Sequence, residues 1–148
     1  MLSPEYVSGF CDGEASFSVT VSPRGNSWEV RPSFSVSQNE ASRAVLYKIQ
    51  QFFGCGHVRP SRSDNTYKYE IRSLAELRSK IIPHFKKHSL HTEKQKNFEI
   101  FVTIVQLMSN GKHLTKDGLC EIVKLLEKIN PKCKKIYDRK KLQELMNV

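Results

Sequence analysis

Asp12 and Glu14 stand where apolar residues at helical spacing (Tyr6, Val7, Phe10, Cys11) give way to strict alternation, with Phe17, Val19 and Val21 on one side and Ser16, Ser18, Thr20 and Ser22 on the other. The two acids therefore sit at a helix end. A carboxylate there is ordinarily a solvated surface charge, yet it opposes the helix dipole, which is already negative at its C-terminus, so the placement suggests a nearby cation. Two positions apart on a helix, Asp12 and Glu14 point to different sides, and either is a candidate ligand. The histidines offer no competing zinc site. His88 and His91 lack a Cys or acidic partner at ligand spacing, and Cys55 with His57 is an incomplete set.

A second chemistry lies on the polar side of the alternating segments: Ser18, Thr20, Ser22 and Arg24, then Glu29, Arg31, Ser33 and Ser35, then His57, Arg59 and Ser61, then Thr66, Lys68, Glu70 and Arg72. Any antiparallel sheet has a polar outward face. This one mixes Arg and Lys, which suit guanine, with Ser and Thr, which donate or accept, and Glu, which accepts from cytosine. Together they can read base edges in a major groove. Net charge is +9, from 24 Lys and Arg against 15 Asp and Glu, and such an excess favours a polyanionic partner through counterion release. The excess is uneven: residues 1–74 carry eight basic against seven acidic side chains, and residues 75–148 carry sixteen against eight.

The elements that position these residues are legible in outline. Ser3 as N-cap and Pro4 at the first helical position start a helix that runs to about Gly13. A strand over 16–22, a turn at 23–27 and a strand carrying Val30, Phe34 and Val36 make a hairpin. A helix over 41–53 follows, with Val45, Leu46, Ile49 and Phe52 at helical spacing and Gly54 as its C-cap. A second hairpin pairs 57–60 with 66–72, with Tyr67, Tyr69 and Ile71 inward. From Leu74 onward the patterns are helical, about 74–82, 93–108, 115–129 and 137–146, broken by Pro83, Gly111 and Pro131. Two antiparallel strand pairs with helices make the fold α+β, and 148 residues fit one domain, 1–148.

The stretch V-S-G-F-C-D-G-E-A-S-F at 7–17 resembles the signature of the LAGLIDADG endonucleases in its G-F-x-D-G-E-x-S-F form. The order helix, hairpin, helix, hairpin, then helices is similar to that family's repeat over nearly the whole chain. The resemblance implies a site-specific double-strand DNA endonuclease that hydrolyses phosphodiester bonds with Mg²⁺, or with another divalent cation such as Mn²⁺ or Ca²⁺. It makes Glu14 the metal ligand, joined by the Gly13 carbonyl, and leaves Asp12 structural. Gln38, in F-S-V-S-Q, resembles the family's polar residue that holds a water near the metal. Lys94, in L-H-T-E-K-Q-K-N-F, resembles the basic residue that opens a long helix beside the scissile phosphate, with Lys96 as the alternative. A position four after the glutamine, basic in some relatives, is Ser42 here, with Arg43 adjacent.

Gly9 and Gly13, four apart, share one helix face where a second helix can approach at backbone distance. On spacing alone Gly13 reads as a C-cap and Gly9 as internal packing; the resemblance turns both into an interface. One motif supplies one acidic helix end, and cutting two strands takes two, so a two-fold homodimer is expected. Its paired sheets would span about 20 base pairs of a pseudo-palindrome, with Lys132, Lys134, Lys135, Arg139, Lys140 and Lys141 toward phosphates. Two other functions fit the same fold, a non-cleaving DNA-binding regulator and an RNA-splicing maturase. Glu14 argues against the first, because a pure binder has little use for an acid beside phosphate. No apolar run reaches the roughly 20 residues that span a bilayer, so no membrane partner is expected. The scattered Cys11, Cys55, Cys120 and Cys133 suit reduced thiols in an intracellular compartment. A chloroplast or mitochondrion that encodes the protein, rather than importing it, fits the absence of a transit peptide.

Overall fold

The computed structural model describes residues 1–129. The helix expected over 137–146, Pro131, Cys133 and the basic residues from Lys132 to Lys141 lie outside the described residues. The fold is α+β. Helix α1 spans Pro4–Glu14, with the Ser3 hydroxyl accepting from the Tyr6 amide at 3.1 Å and Pro4 in the first turn. Strands β1 (Ala15–Arg24) and β2 (Ser27–Asn39) are joined across Gly25, whose φ of +60° fits a tight hairpin turn. The second helix starts later than the apolar spacing suggests. Asn39 accepts from the Ser42 amide at 3.2 Å, which makes a 3₁₀ turn of Glu40–Ser42, and α2 then runs Ala44–Phe53 and ends on left-handed Gly54. Strands β3 (His57–Pro60) and β4 (Thr66–Ile71) follow.

The break expected at Pro83 does not occur. After α3 (Leu74–Glu76) the chain makes a π turn, Leu77–Ile81, and continues as α4, Ile82–Lys87. Proline lacks an N–H, and its ring crowds the carbonyl four residues back. The Ile82 amide reaches past that spacing to the Leu77 carbonyl, and this wider turn leaves Pro83 in the first turn of α4, where no N–H is needed. Helix α5 is Lys94–Ser109 and α6 is Lys116–Ile129, with a 3₁₀ turn, Lys112–Leu114, between them. Gly118 in α6 is obligatory, since a Cβ there would fall 1.8 Å from the Lys112 carbonyl oxygen.

The sheet order is β1-β2-β4-β3. Strand β4 runs antiparallel to both neighbours, with Phe34 opposite Ile71, Val36 opposite Tyr69 and Gln38 opposite Tyr67 on the inward face. Two compact units emerge. The first comprises Met1–Ser18 with Ser33–Gln95, and its core is aromatic: the Phe34 ring centroid lies 5.3 Å from that of Phe17, 5.7 Å from Phe85, 6.0 Å from Phe53 and 6.4 Å from Tyr69. Removing such a ring typically costs about 3–5 kcal/mol. The second comprises, among the described residues, Val19–Pro32 with 96–129. It buries Val19, Val21 and Val30 of the hairpin, Phe98, Phe101, Ile104, Val105 and Met108 at helical spacing on α5, and Leu119, Ile122, Val123 and Leu126 on α6.

Candidate functional site

Helix α1 divides its sides sharply. Val7, Ser8 and Cys11 are buried. Gly9 and Gly13 lie on the exposed side with nothing within 4 Å of where a Cβ would stand. Near them Tyr6, 48% exposed, stacks on Phe10 with ring centroids 6.0 Å apart. A helix turned toward solvent with two glycines and two aromatic rings is unusual for a surface that stays wet.

Glu14 is the last residue of α1, and its carboxylate is exposed. The Gln38 side-chain amide donates to Glu14 Oε2 at 3.1 Å and to the Ser37 carbonyl at 2.8 Å. Lys94 places its ammonium 3.3 Å from the Cys11 carbonyl, which also accepts the Ala15 amide that closes the helix. Glu14, Gln38 and Lys94 are therefore gathered at one helix end. Lys96 is exposed on the first turn of α5. Arg43 is engaged elsewhere: it pairs with Glu40 at 3.3 Å and lies over the Tyr67 ring at 5.5 Å.

Asp12 is wholly occupied within the chain. One oxygen accepts the His91 amide at 2.8 Å, and the other accepts the Thr92 amide at 3.2 Å and the Thr92 hydroxyl at 2.5 Å. Burial raises its carboxyl, but the Thr92 hydroxyl and the two amides outweigh that and hold it below the ordinary aspartate range. The partners lie some eighty positions along the chain, with no local pattern to announce them.

Ser8 makes a second connection that composition does not reveal. Its hydroxyl donates to the His88 carbonyl at 2.8 Å and meets His84 Nε2 at 3.0 Å, so neutral His84 donates through Nε2. Burial among Phe52, Phe53 and Phe85, and then the neighbouring His88, push His84 down to about 4, against a smaller upward pull from Glu5. The Cys11 thiol is pushed up to about 12 by burial despite the opposing charge of Lys94, which suits an inert thiol. Among the described residues no group of three His, Cys, Asp or Glu could hold a metal.

The outward face of the sheet carries the polar set in register. On β2 and β4, Ser35 faces Glu70 and Ser37 faces Lys68; on β3, His57 faces Glu70 and Arg59 faces Lys68. Ser18, Thr20, Ser22 and Arg24 take alternate positions on β1, and Glu29, Arg31 and Ser33 on β2. Ser61 and Thr66 close the second hairpin through an amide-to-carbonyl bond of 2.8 Å. Glu29 accepts from Arg31 Nη2 at 3.0 Å and from Arg24 Nη1 at 3.5 Å. Exposed Ser37 belongs to the same face; carrying the alternation one step past Ser35 finds it. Two of the expected contacts are covered: Ser35 is 7% exposed and Glu70 8%.

The family model described as LAGLIDADG endonuclease matches residues 7–105. The "Probable intron-encoded endonuclease 2" of Neurospora crassa is 37% identical over 133 residues, which is 87% of this chain and 29% of that protein. The chain spans between 25% and 49% of the fungal intron-encoded relatives first matched. Among solved structures, the homing endonuclease I-TnaI superposes with a TM-score of 0.85 at 35% identity over 99% of this chain and 97% of that one. I-LtrWI, a LAGLIDADG homing endonuclease bound to target DNA, gives 0.84 at 30% identity over 87% of this chain and 44% of that one.

Proposed function

The chain belongs to the LAGLIDADG endonuclease family, and on that footing we propose that it is a homing-type endonuclease. It cuts both strands of a long pseudo-palindromic duplex, using Mg²⁺ and acting as a homodimer. The observation that carries this reading is the exposed Glu14 carboxylate, hydrogen-bonded to Gln38 and ending a helix whose open side bears Gly9 and Gly13.

One carboxylate with the Gly13 carbonyl is too few donors for a closed protein site, but it fits an ion that keeps water and phosphate oxygens in its shell. Glu14 and Gly13 of each chain would hold it. When bound, the ion supplies charge neutralisation on the phosphoryl oxygens and an acidified water. Gln38 fixes the Glu14 carboxylate through Oε2. Lys94 brings a positive charge to the negative end of α1, where the cleaved phosphate must approach. The outward sheet face reads the flanking base pairs, and a positive surface supplies the phosphate attraction.

Dimerisation is supported by a match that covers nearly all of I-TnaI but less than half of I-LtrWI: a fold of this size serves once per chain in the first and accounts for about half of the second. Two chains meeting through Gly9 and Gly13 bring two copies of Glu14 together. We treat residues 1–148 as one such endonuclease domain. Among the described residues no helix is long and apolar enough to cross a membrane. The names of the fungal relatives support a gene carried in an intron, and an organelle such as a mitochondrion is the compartment we propose.

Incubation with Mg²⁺ and a randomised duplex library, followed by sequencing of the cut ends, tests the reading. Double-strand cuts at a two-fold related sequence are expected. Specific binding without cuts would convert the protein into a regulator on an endonuclease fold.

A further inference from the structure

We propose that Glu70 is a positioning residue of the reading face, which reads no base itself but holds Arg59, Lys68 and Arg72 in the arrangement that determines specificity. The inference rests on the sheet being the DNA-reading surface.

Both carboxylate oxygens of Glu70 are occupied. Oε1 accepts from Arg59 Nη2 at 2.8 Å and is ion-paired with Arg72, whose Nε lies 3.0 Å away. Oε2 lies 3.4 Å from the Lys68 ammonium and accepts from the Ser33 hydroxyl at 3.1 Å. A carboxylate offers about four lone-pair sites, and four donor groups, two hydrogen-bonded and two ion-paired, crowd them. None remains for the amino group of a cytosine, the base that an outward Glu would otherwise read.

Depth separates the acid from its partners. The Glu70 side chain is 9% exposed, whereas those of Arg59, Lys68 and Arg72 are 55%, 40% and 56% exposed. The acid therefore lies beneath three cations that reach into solvent. Register explains how: on β4, flanked by strands on both sides, Glu70 sits opposite Ser35 of β2 and His57 of β3, with Lys68 two residues away on the same face. Burying a carboxylate without partners is costly, and four donors offset that cost. Each guanidinium spends one nitrogen on Glu70 and keeps its remaining donors for a bidentate contact. A long side chain free to rotate would lose rotamer entropy on binding a base, and one already held loses less. Glu70 also removes one positive charge from the patch, which limits attraction to any phosphate backbone regardless of sequence.

A reading residue and a positioning residue differ in how far their removal spreads. Glu70→Gln should weaken base preference by roughly tenfold at two or more base-pair positions together, while affinity for unrelated duplex stays level or rises. Arg59→Ala should loosen only its own positions, and the double variant should add little at those positions beyond Glu70→Gln alone. Binding to every single-base variant of the selected duplex, without divalent metal so that nothing is cut, reads all three. A new preference confined to one position would make Glu70 a base reader and overturn the proposal, as would an unchanged profile. A DNA-free measurement separates this from the functional reading: the Arg59 guanidinium N–H groups, which donate to Glu70, should exchange slowly in the wild type and several-fold faster in Glu70→Gln, in NMR spectra that also report the fold. Equal exchange in the two overturns the positioning role, whatever the protein binds. A wild type with slow exchange but no preferred duplex would instead overturn the endonuclease reading, and the specificity role with it. Ser33→Ala, which removes one donor and no charge, should loosen the same positions more weakly.

Discussion

The Thr92 hydroxyl donates to Asp12 Oδ1 at 2.5 Å and ties the last turn of α1 to the loop that leads into α5. The Thr92 oxygen in turn accepts the Lys94 amide at 3.2 Å, and the Lys94 ammonium returns to the Cys11 carbonyl at 3.3 Å. The helix end that carries Glu14 is thereby braced against the residue proposed to meet the phosphate, and the brace is made by the motif's other acid.

Asp12→Ala should cost on the order of 1 kcal/mol, because it leaves two amides and a hydroxyl without their acceptor, and it should slow cleavage by loosening Lys94. The depressed Asp12 carboxyl sets the pH sign. A group whose folded pKa lies below its unfolded value contributes stability above the unfolded value, and that contribution is lost as pH falls through the folded one. The gap in melting temperature between wild type and Asp12→Asn should therefore narrow below about pH 4. Equal melting temperatures for wild type and Asp12→Ala at pH 7 would rule out the brace.

Glu14→Gln should abolish cleavage in Mg²⁺ and leave specific binding and melting temperature nearly unchanged. The side chain is exposed, so its charge is spent on function rather than on packing. An amide is a far poorer ligand than a carboxylate for a hard cation. A Glu14→Gln protein that cuts at close to the wild-type rate would take Glu14 out of the mechanism.

His84 predicts a loss of stability on the acid side. Its folded pKa of about 4 lies below the ordinary 6.5, so between these values the unfolded chain binds more protons, and stability rises with pH through that window and levels off above it. The ring is partly exposed, so the contribution is on the order of 1–2 kcal/mol rather than the full value of the shift. Urea denaturation at pH 4.5 and 7.5 should show a smaller difference for His84→Gln, whose amide can still donate to Ser8. The same difference in both proteins would assign the acid lability elsewhere.

Period and punctuation made much of this architecture legible. The alternation over 16–22 and the Gly54 cap both describe real elements, since local backbone geometry decides them. Glu14, Gln38 and Lys94 are legible through the motif's resemblance, and their gathering at one helix end depends on tertiary structure. What stayed hidden was non-local. Thr92 looks like any residue before a helix, and only folding brings it to Asp12. Pro83 reads as a breaker because the π turn that absorbs it is stabilised by the burial of Leu77 and Ile81 rather than by a local signal. Glu70 reads as an outward acid, and its burial beneath three cations depends on side chains from three strands and the residue just after β4.

Gly9→Val tests the dimer with little disturbance to the single chain. Nothing lies within 4 Å of a Cβ at Gly9, so the valine Cβ meets no steric conflict within its own chain, and replacing glycine by β-branched valine inside a helix recovers roughly 0.3 kcal/mol. The isolated fold should be as stable as before or slightly more so. Across a two-fold interface the same side chain would stand where a second helix must approach at backbone distance, and both copies would carry it. Sedimentation of the wild type at micromolar concentration should give twice the chain mass of 17.1 kDa, and Gly9→Val should shift it to the single chain. Cleavage should fall with it, because each chain supplies one Glu14. A wild type that sediments as one chain with and without DNA would refute the homodimer. A dimer unaffected by Gly9→Val would move the interface off the open side of α1.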